Sequence, residues 1–167
     1  IQIVCAGLHA IATHRAKVCP AFERVAVVVG VGQPVAEQYT PGSCLCGAVS
    51  FTVRGPLRPV LVCHCSQCRK TSGHYWAATA APSDCVEFTH DDTLEWFKSS
   101  AQAQRGFCRR CGSSLFWRHA ARDAWAIAAG ALDSPTGLHT QAHIFFADAS
   151  DYYLVHPDEA TIGGSAG

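Results

Sequence analysis

Charge is scarce in this sequence. Charged residues make up 16% of its 167 positions, and 13 Lys and Arg balance 13 Asp and Glu to a formal net charge of zero. A neutral chain offers no basic face to nucleic acid and no acidic tail to a basic partner, so no nucleic acid is expected. No apolar run approaches the ~20 residues that a membrane-crossing helix needs, so no membrane partner is expected either. A secretory leader, with its basic start, apolar stretch and small-residue cleavage site, is also missing, and a cytoplasmic, reducing setting is the expectation. No stretch carries a long helical stripe of apolar residues, and no internal repeat occurs, which argues against a bundle or a solenoid.

Cysteine, in contrast, is abundant, with ten in the chain. Seven of them fall in three short clusters. Cys44 and Cys46 flank Leu45; Cys63, Cys65 and Cys68 lie within six residues; Cys108 and Cys111 flank Arg109 and Arg110. Pairs this close are poorly placed for intrapair disulfides, but they suit a shared metal ion. Cys44, Cys46, Cys108 and Cys111 together make a four-thiolate set of the kind that closes a structural zinc site. Gly112 follows directly, as in a metal knuckle whose tight turn aims backbone N–H groups at the sulfurs. Such a site carries a net charge of about −2, and Arg105, Arg109 and Arg110 are expected to supply nearby cations.

The middle cluster is one ligand short. Three protein thiolates and an open position are the pattern of a reactive rather than a structural zinc. His64, wedged between two ligand cysteines, is expected to point away from the metal, while His74 is the residue best placed to fill the fourth position. Arg69 and Lys70 follow the triad and are expected to draw an anionic ligand to it. Cys85 reads as a buried core thiol, and Cys5 and Cys19 as isolated thiols. Trp76, Trp96, Phe116, Trp117 and Trp125 read as core or pocket wall.

The pattern between the clusters is that of short strands. Residues 48–54, 60–62, 75–81, 86–88, 93–97, 104–107, 114–117, 124–129 and 143–146 each read as a strand, with a single helical turn over 66–71. Pro41-Gly42-Ser43 reads as a turn. Turn signals every ~8–12 residues make the chain mainly β. Residues 1–38 hold no paired ligand spacing, only an apolar run over 25–31, and are expected to be an N-terminal extension of uncertain role. Residues 39–159 form the zinc-binding domain, and 160–167 are expected to be a flexible tail.

Three motifs, in this order, resemble the family of glutathione-dependent formaldehyde-activating enzymes and centromere protein V. They are Gly42-Ser43-Cys44-Leu45-Cys46-Gly47, Cys63-His64-Cys65-Ser66-Gln67-Cys68-Arg69-Lys70 and Phe107-Cys108-Arg109-Arg110-Cys111-Gly112-Ser113. Gly130-Ala131-Leu132-Asp133 and His143-Ile144-Phe145 are similar to later segments of that family. The resemblance implies a β-tent: several small coiled antiparallel sheets stapled by zinc. It implies two zinc ions, one structural on Cys44, Cys46, Cys108 and Cys111, and one catalytic on Cys63, Cys65 and Cys68. It also implies a carbon–sulfur lyase-type activity that condenses a thiol such as glutathione with formaldehyde or a related small aldehyde. The alternative expectation is a zinc-stabilised module that binds glutathione or a protein without catalysis.

Overall fold

The computed structural model describes residues 38–165, so Cys5, Cys19 and the apolar run over 25–31 lie outside the described residues. Ten strands and one short helix make up the fold. In order they are β1 (Tyr39–Ser43), β2 (Ser50–Arg54), β3 (Val60–Cys63), α1 (Ser66–Ser72), β4 (Trp76–Pro82), β5 (Val86–His90), β6 (Leu94–Lys98), β7 (Ala103–Cys108), β8 (Ser114–His119), β9 (Ala124–Ala128) and β10 (Thr140–Ile144). A small sheet has the order β1-β2-β5, and a larger one the order β10-β3-β4-β9-β8-β7-β6. The pairings are antiparallel apart from β10 against β3, which is parallel. The mainly β, β-tent expectation is met. No helix among the described residues is long and apolar enough to cross a membrane.

Side chains alternate between the faces of a strand, and that alternation sorts the core into two parts. Phe51 and Val53 from the small sheet, with Val49 just before β2, pack onto Ala81, Phe116 and Ile127 of the large one. Phe51 and Phe116 meet edge to face, with ring centroids 4.9 Å apart. The neighbouring positions on the same strands, Trp76, Ala78, Trp117, Ala126 and Ala128, pack instead with Cys63, Cys65 and Cys68. One face of the large sheet therefore builds the inter-sheet core, and the other carries α1 and the triad.

β1 departs from the sequence reading, which saw a turn at Pro41-Gly42-Ser43. Pro41 pairs with Thr52 across β1 and β2. β1 is an edge strand, where the N–H that proline lacks is not needed by a further neighbour. Gly42 lets the chain pass closely over the turn after β9: a Cβ there would lie 2.7 Å from the Ala131 carbonyl and 2.8 Å from the Phe51 ring. The Asp133 N–H donates to the Pro41 carbonyl at 2.9 Å, which ties β1 to the segment that follows β9.

β10 runs over Thr140–Ile144 rather than 143–146. Phe145 ends it in a left-handed conformation, with φ 52°, that turns the chain away from the sheet. The stretch expected as a flexible tail is hydrogen-bonded along its described part. His143 N–H donates to Ala160, Ile162 N–H to His143, Phe146 N–H to Ile162 and Phe145 N–H to Gly164.

Candidate metal centres

The outer cysteines meet at one end of the inter-sheet core. Cys44 and Cys46 lie in the turn after β1, whose Cys44 N–H donates to Val49 and whose Gly47 N–H donates to Cys44. Cys108 ends β7, and Cys111 follows in a turn closed by Gly112 N–H on the Cys108 carbonyl at 2.8 Å. Gly112 has φ 77°, a conformation open to glycine at no steric cost. The four Sγ atoms all lie within 4.8 Å of one another. Cys44 and Cys46 are 3.6 Å apart, and Cys46 and Cys108 3.9 Å. Thiolates placed tetrahedrally at about 2.3 Å from a zinc ion stand roughly 3.8 Å apart, so the donor set fits.

The surroundings support thiolates. Val49 N–H donates to Cys44 Sγ at 3.2 Å, Thr93 Oγ1 lies 3.4 Å from Cys108 Sγ, and Ser113 Oγ lies 3.3 Å from Cys111 Sγ. The Ser113 hydroxyl and backbone N–H bring the Cys111 thiol down to about 5. Cys46 goes the other way, to about 11: the Ala48 N–H pulls it down, but desolvation and the neighbouring Cys111, Cys44 and Cys108 outweigh that.

The triad is built on the end of β3 and the start of α1, and its three Sγ atoms also lie within 4.8 Å of one another. Cys65 caps the helix, accepting from Cys68 N–H at 3.4 Å. Gly73, with φ 79°, ends it by donating to Arg69. Without a metal the thiols share protons. The hydrogen bond to Cys68 and burial hold the Cys63 thiol well above its usual range. The same bond from Cys63, helped by the Arg105 guanidinium, lowers Cys68 to about 6 against the effect of burial. Among the described residues no fourth His, Cys, Asp or Glu joins this group.

His64 points away from the triad, as the sequence predicts. It is fully buried, with Nδ1 against the Tyr153 hydroxyl and Nε2 2.8 Å from His143 Nδ1. His143 Nε2 faces Glu159 Oε2 at 3.5 Å. A carboxylate only accepts, so it favours the proton on His143 Nε2. His64 then donates from Nε2 to His143 Nδ1 and accepts from Tyr153 on Nδ1. Burial, followed by His143, His74 and Arg69, pushes the His64 pKa down. His74 is hydrogen-bonded to the Tyr152 hydroxyl at 2.7 Å and is not part of the triad group.

The cations are distributed differently from the sequence expectation. Arg105 reaches the triad instead of the outer cysteines: its Nη2 donates to Cys68 Sγ and to Gln67 Oε1, each at 3.5 Å. Arg105 pairs with Trp117 across β7 and β8, which places it on the triad face of the sheet. Arg109 faces Glu95 at 3.9 Å, and Arg110 is exposed. Arg69 donates to the His64 carbonyl at 3.2 Å and to Ser150 Oγ at 2.8 Å, while Lys70 is exposed on the same helix. Cys85 is fully buried.

A cavity of about 650 Å³ has Cys44 of the outer group, but none of the triad cysteines, in its wall. Cys44 and Leu45 line it on one side, Thr71 and Ser72 of α1 on the other, with Trp76 and Asp133 between. Sequence reasoning places Arg105 at the outer cysteines rather than the triad, and does not single out Tyr153 or Glu159. Strand alternation pointed to Arg105, since it shares no face with Cys108; nothing in the local sequence marked the other two.

Fold and site thus define a small β protein organised around two cysteine groups fit to hold metal ions. Residues 39–148, more than half of the chain, match the glutathione-dependent formaldehyde-activating enzyme family. The chain belongs to that family. A Halomonas elongata protein that carries the same description is 37% identical over 83 residues, covering 45% of this chain and 53% of that protein. The chain thus spans about half the length of this curated relative. The crystal structure of a Rhodobacter sphaeroides protein is similar in fold, with a TM-score of 0.50 and 21% identity over 73% of this chain and 98% of that one.

Proposed function

We propose that the protein is a zinc-dependent carbon–sulfur bond-forming enzyme that condenses a thiol, glutathione in the first instance, with formaldehyde or a related small aldehyde. The observation that carries this reading is an asymmetry. One cysteine group offers four thiols and the other three, and Trp76, which packs with the incomplete group, lines a cavity of about 650 Å³. Zinc bound at the triad would take a substrate thiol as its fourth ligand and lower that thiol's pKa toward neutrality. The family name and that of the Halomonas elongata relative support the same substrates. In this reading Cys44, Cys46, Cys108 and Cys111 hold the structural zinc. Arg69 and Lys70 are proposed to favour an anionic thiol on the helix side, Lys70 through its exposed ammonium.

The test is Cys65→Ser assayed for adduct formation under saturating zinc, alongside calorimetric titration with glutathione. Turnover is expected to fall by about 10²-fold or more, as for loss of a group needed in the transition state. Unchanged turnover would sink the proposal. Glutathione binding by the natural sequence without any turnover would favour a binding module instead.

A further inference from the structure

We propose that Arg105 and Trp76 form an oxygen-binding corner beside the triad, which takes the carbonyl oxygen of the aldehyde and the alkoxide that develops from it. Both side chains are 7% exposed. Arg105 Nη1 and Trp76 Nε1 are buried and make no hydrogen bond. Buried donors left without partners are rare, because desolvation is not repaid, and two of them from different strands against one group of thiols call for a ligand.

Their placement says what that ligand is. The Arg105 guanidinium carbon lies 5.9 Å from the centre of the Trp76 ring, so the two side chains that carry the donors are neighbours. Arg105 Nη2 is already directed at Cys68 Sγ, at 3.5 Å. Trp76 pairs with Cys63 across β3 and β4, packs with Cys68, and lines the cavity. Indole N–H and guanidinium groups donate and never accept, so the missing partner is an acceptor, and the guanidinium charge favours an anionic one. Two arms of one guanidinium fork sit side by side. With one arm on a triad sulfur, the other is suited to an oxygen attached close to a sulfur bound at the triad.

Thiol addition to an aldehyde makes such an oxygen. The thiol first gives its proton to solvent. A sulfur lone pair then forms the carbon–sulfur bond as the carbonyl π pair moves onto oxygen. The alkoxide next takes a proton from water, so that thiol plus aldehyde gives a hydroxymethyl-type thioether with no change of oxidation state. Arg105 and Trp76 would meet the oxygen as its charge develops, which is where fixed donors lower a barrier. This inference rests on the triad being the thiol site.

The experiment compares two thiols on the zinc-loaded protein by calorimetry: mercaptoacetate, which carries oxygen near its sulfur, and ethanethiol, which does not. The natural sequence is expected to bind mercaptoacetate about 10-fold more tightly. Arg105→Gln is expected to erase that preference, weakening mercaptoacetate binding more than ethanethiol binding, and to lower kcat for adduct formation by about 10²-fold. Trp76→Phe keeps the packing ring and loses only the N–H. It is expected to reduce the preference and kcat in the same sense, and it carries the test if Arg105→Gln sheds metal. A preference that survives in Trp76→Phe and in a metal-replete Arg105→Gln overturns the corner. A preference that both variants erase, in a protein without adduct formation, upholds the corner and removes the enzyme reading. Full turnover in both variants removes the corner and leaves that reading standing.

Discussion

Cys46 and Cys111 belong to the same donor group but behave as opposite thiols. Cys46 is exposed and pushed up to about 11, whereas Cys111 is half-buried and brought down to about 5 by Ser113. Exposure and reactivity therefore point in opposite directions, because the thiolate is the nucleophile. In chelator-treated protein at pH 6–7, iodoacetamide is expected to modify Cys111 ahead of Cys46. The sign follows from the depressed value: the Cys111 thiolate persists above about pH 5 and is lost as pH falls through it. Peptide mapping by mass spectrometry checks the order, and prior labelling of Cys46 would refute it. At this scale the sequence was informative wherever spacing carries the chemistry. All seven clustered cysteines are grouped as their spacing predicts, and His64 turns away from the metal side. Arg105 was misassigned because proximity in sequence to Cys108 was given more weight than strand alternation. The Tyr153–His64–His143–Glu159 chain joins residues 79 to 89 positions apart at its first two links. No local pattern records a contact of that length.

Individual elements were legible to the extent that they follow a period. Strands such as β2, with Phe51 and Val53 buried between half-buried neighbours, announce themselves by alternation. The helical turn over 66–71 appears as α1, begun by the Cys65 cap and ended by Gly73. β1 was hidden because proline and glycine read as a turn, and only its position at a sheet edge makes them tolerable. The parallel partnership of β10 with β3 had no signature either, since both are short and their pairing spans most of the fold. β1 offers a test of this close approach. Gly42→Ala would set a methyl 2.7 Å from the Ala131 carbonyl, a backbone atom that cannot rotate aside. The expected destabilisation is about 1–3 kcal/mol, read as a lower midpoint in urea with an unchanged slope. Gly130→Ala, where nothing lies within 4 Å of the added carbon, serves as the comparison and is expected to move the midpoint less.

A metal ion at each of the two cysteine groups would do different work for the molecule as a whole. The triad ligands are contributed by a six-residue stretch, so a metal there restrains little of the chain. The outer group joins the turn after β1 to the turn after β7, and Cys46 and Cys108 are 62 residues apart in sequence. Releasing a cross-link over a loop of that size costs about 4 kcal/mol by the loop-closure relation, enough to lower a melting temperature by more than about 10 °C. Chelation is therefore expected in two stages. One equivalent of zinc leaves with the far-ultraviolet circular dichroism unchanged, and the second leaves only as ellipticity is lost. Cys68→Ser should melt near the natural sequence with one zinc, and Cys108→Ser well below it. Metal analysis alongside thermal melting checks this, and equal melting of the two variants would contradict it. The same 62-residue gap also governs synthesis. On the ribosome Cys44 and Cys46 emerge long before Cys108 and Cys111, and the next clustered thiols to appear are Cys63, Cys65 and Cys68. A nascent chain thus presents five clustered thiols before the rightful partners exist, enough for a four-thiolate site of the wrong membership. With zinc held by both groups, correct loading would depend on the ion arriving late or exchanging freely, and the order of metal delivery would become part of how this fold is reached.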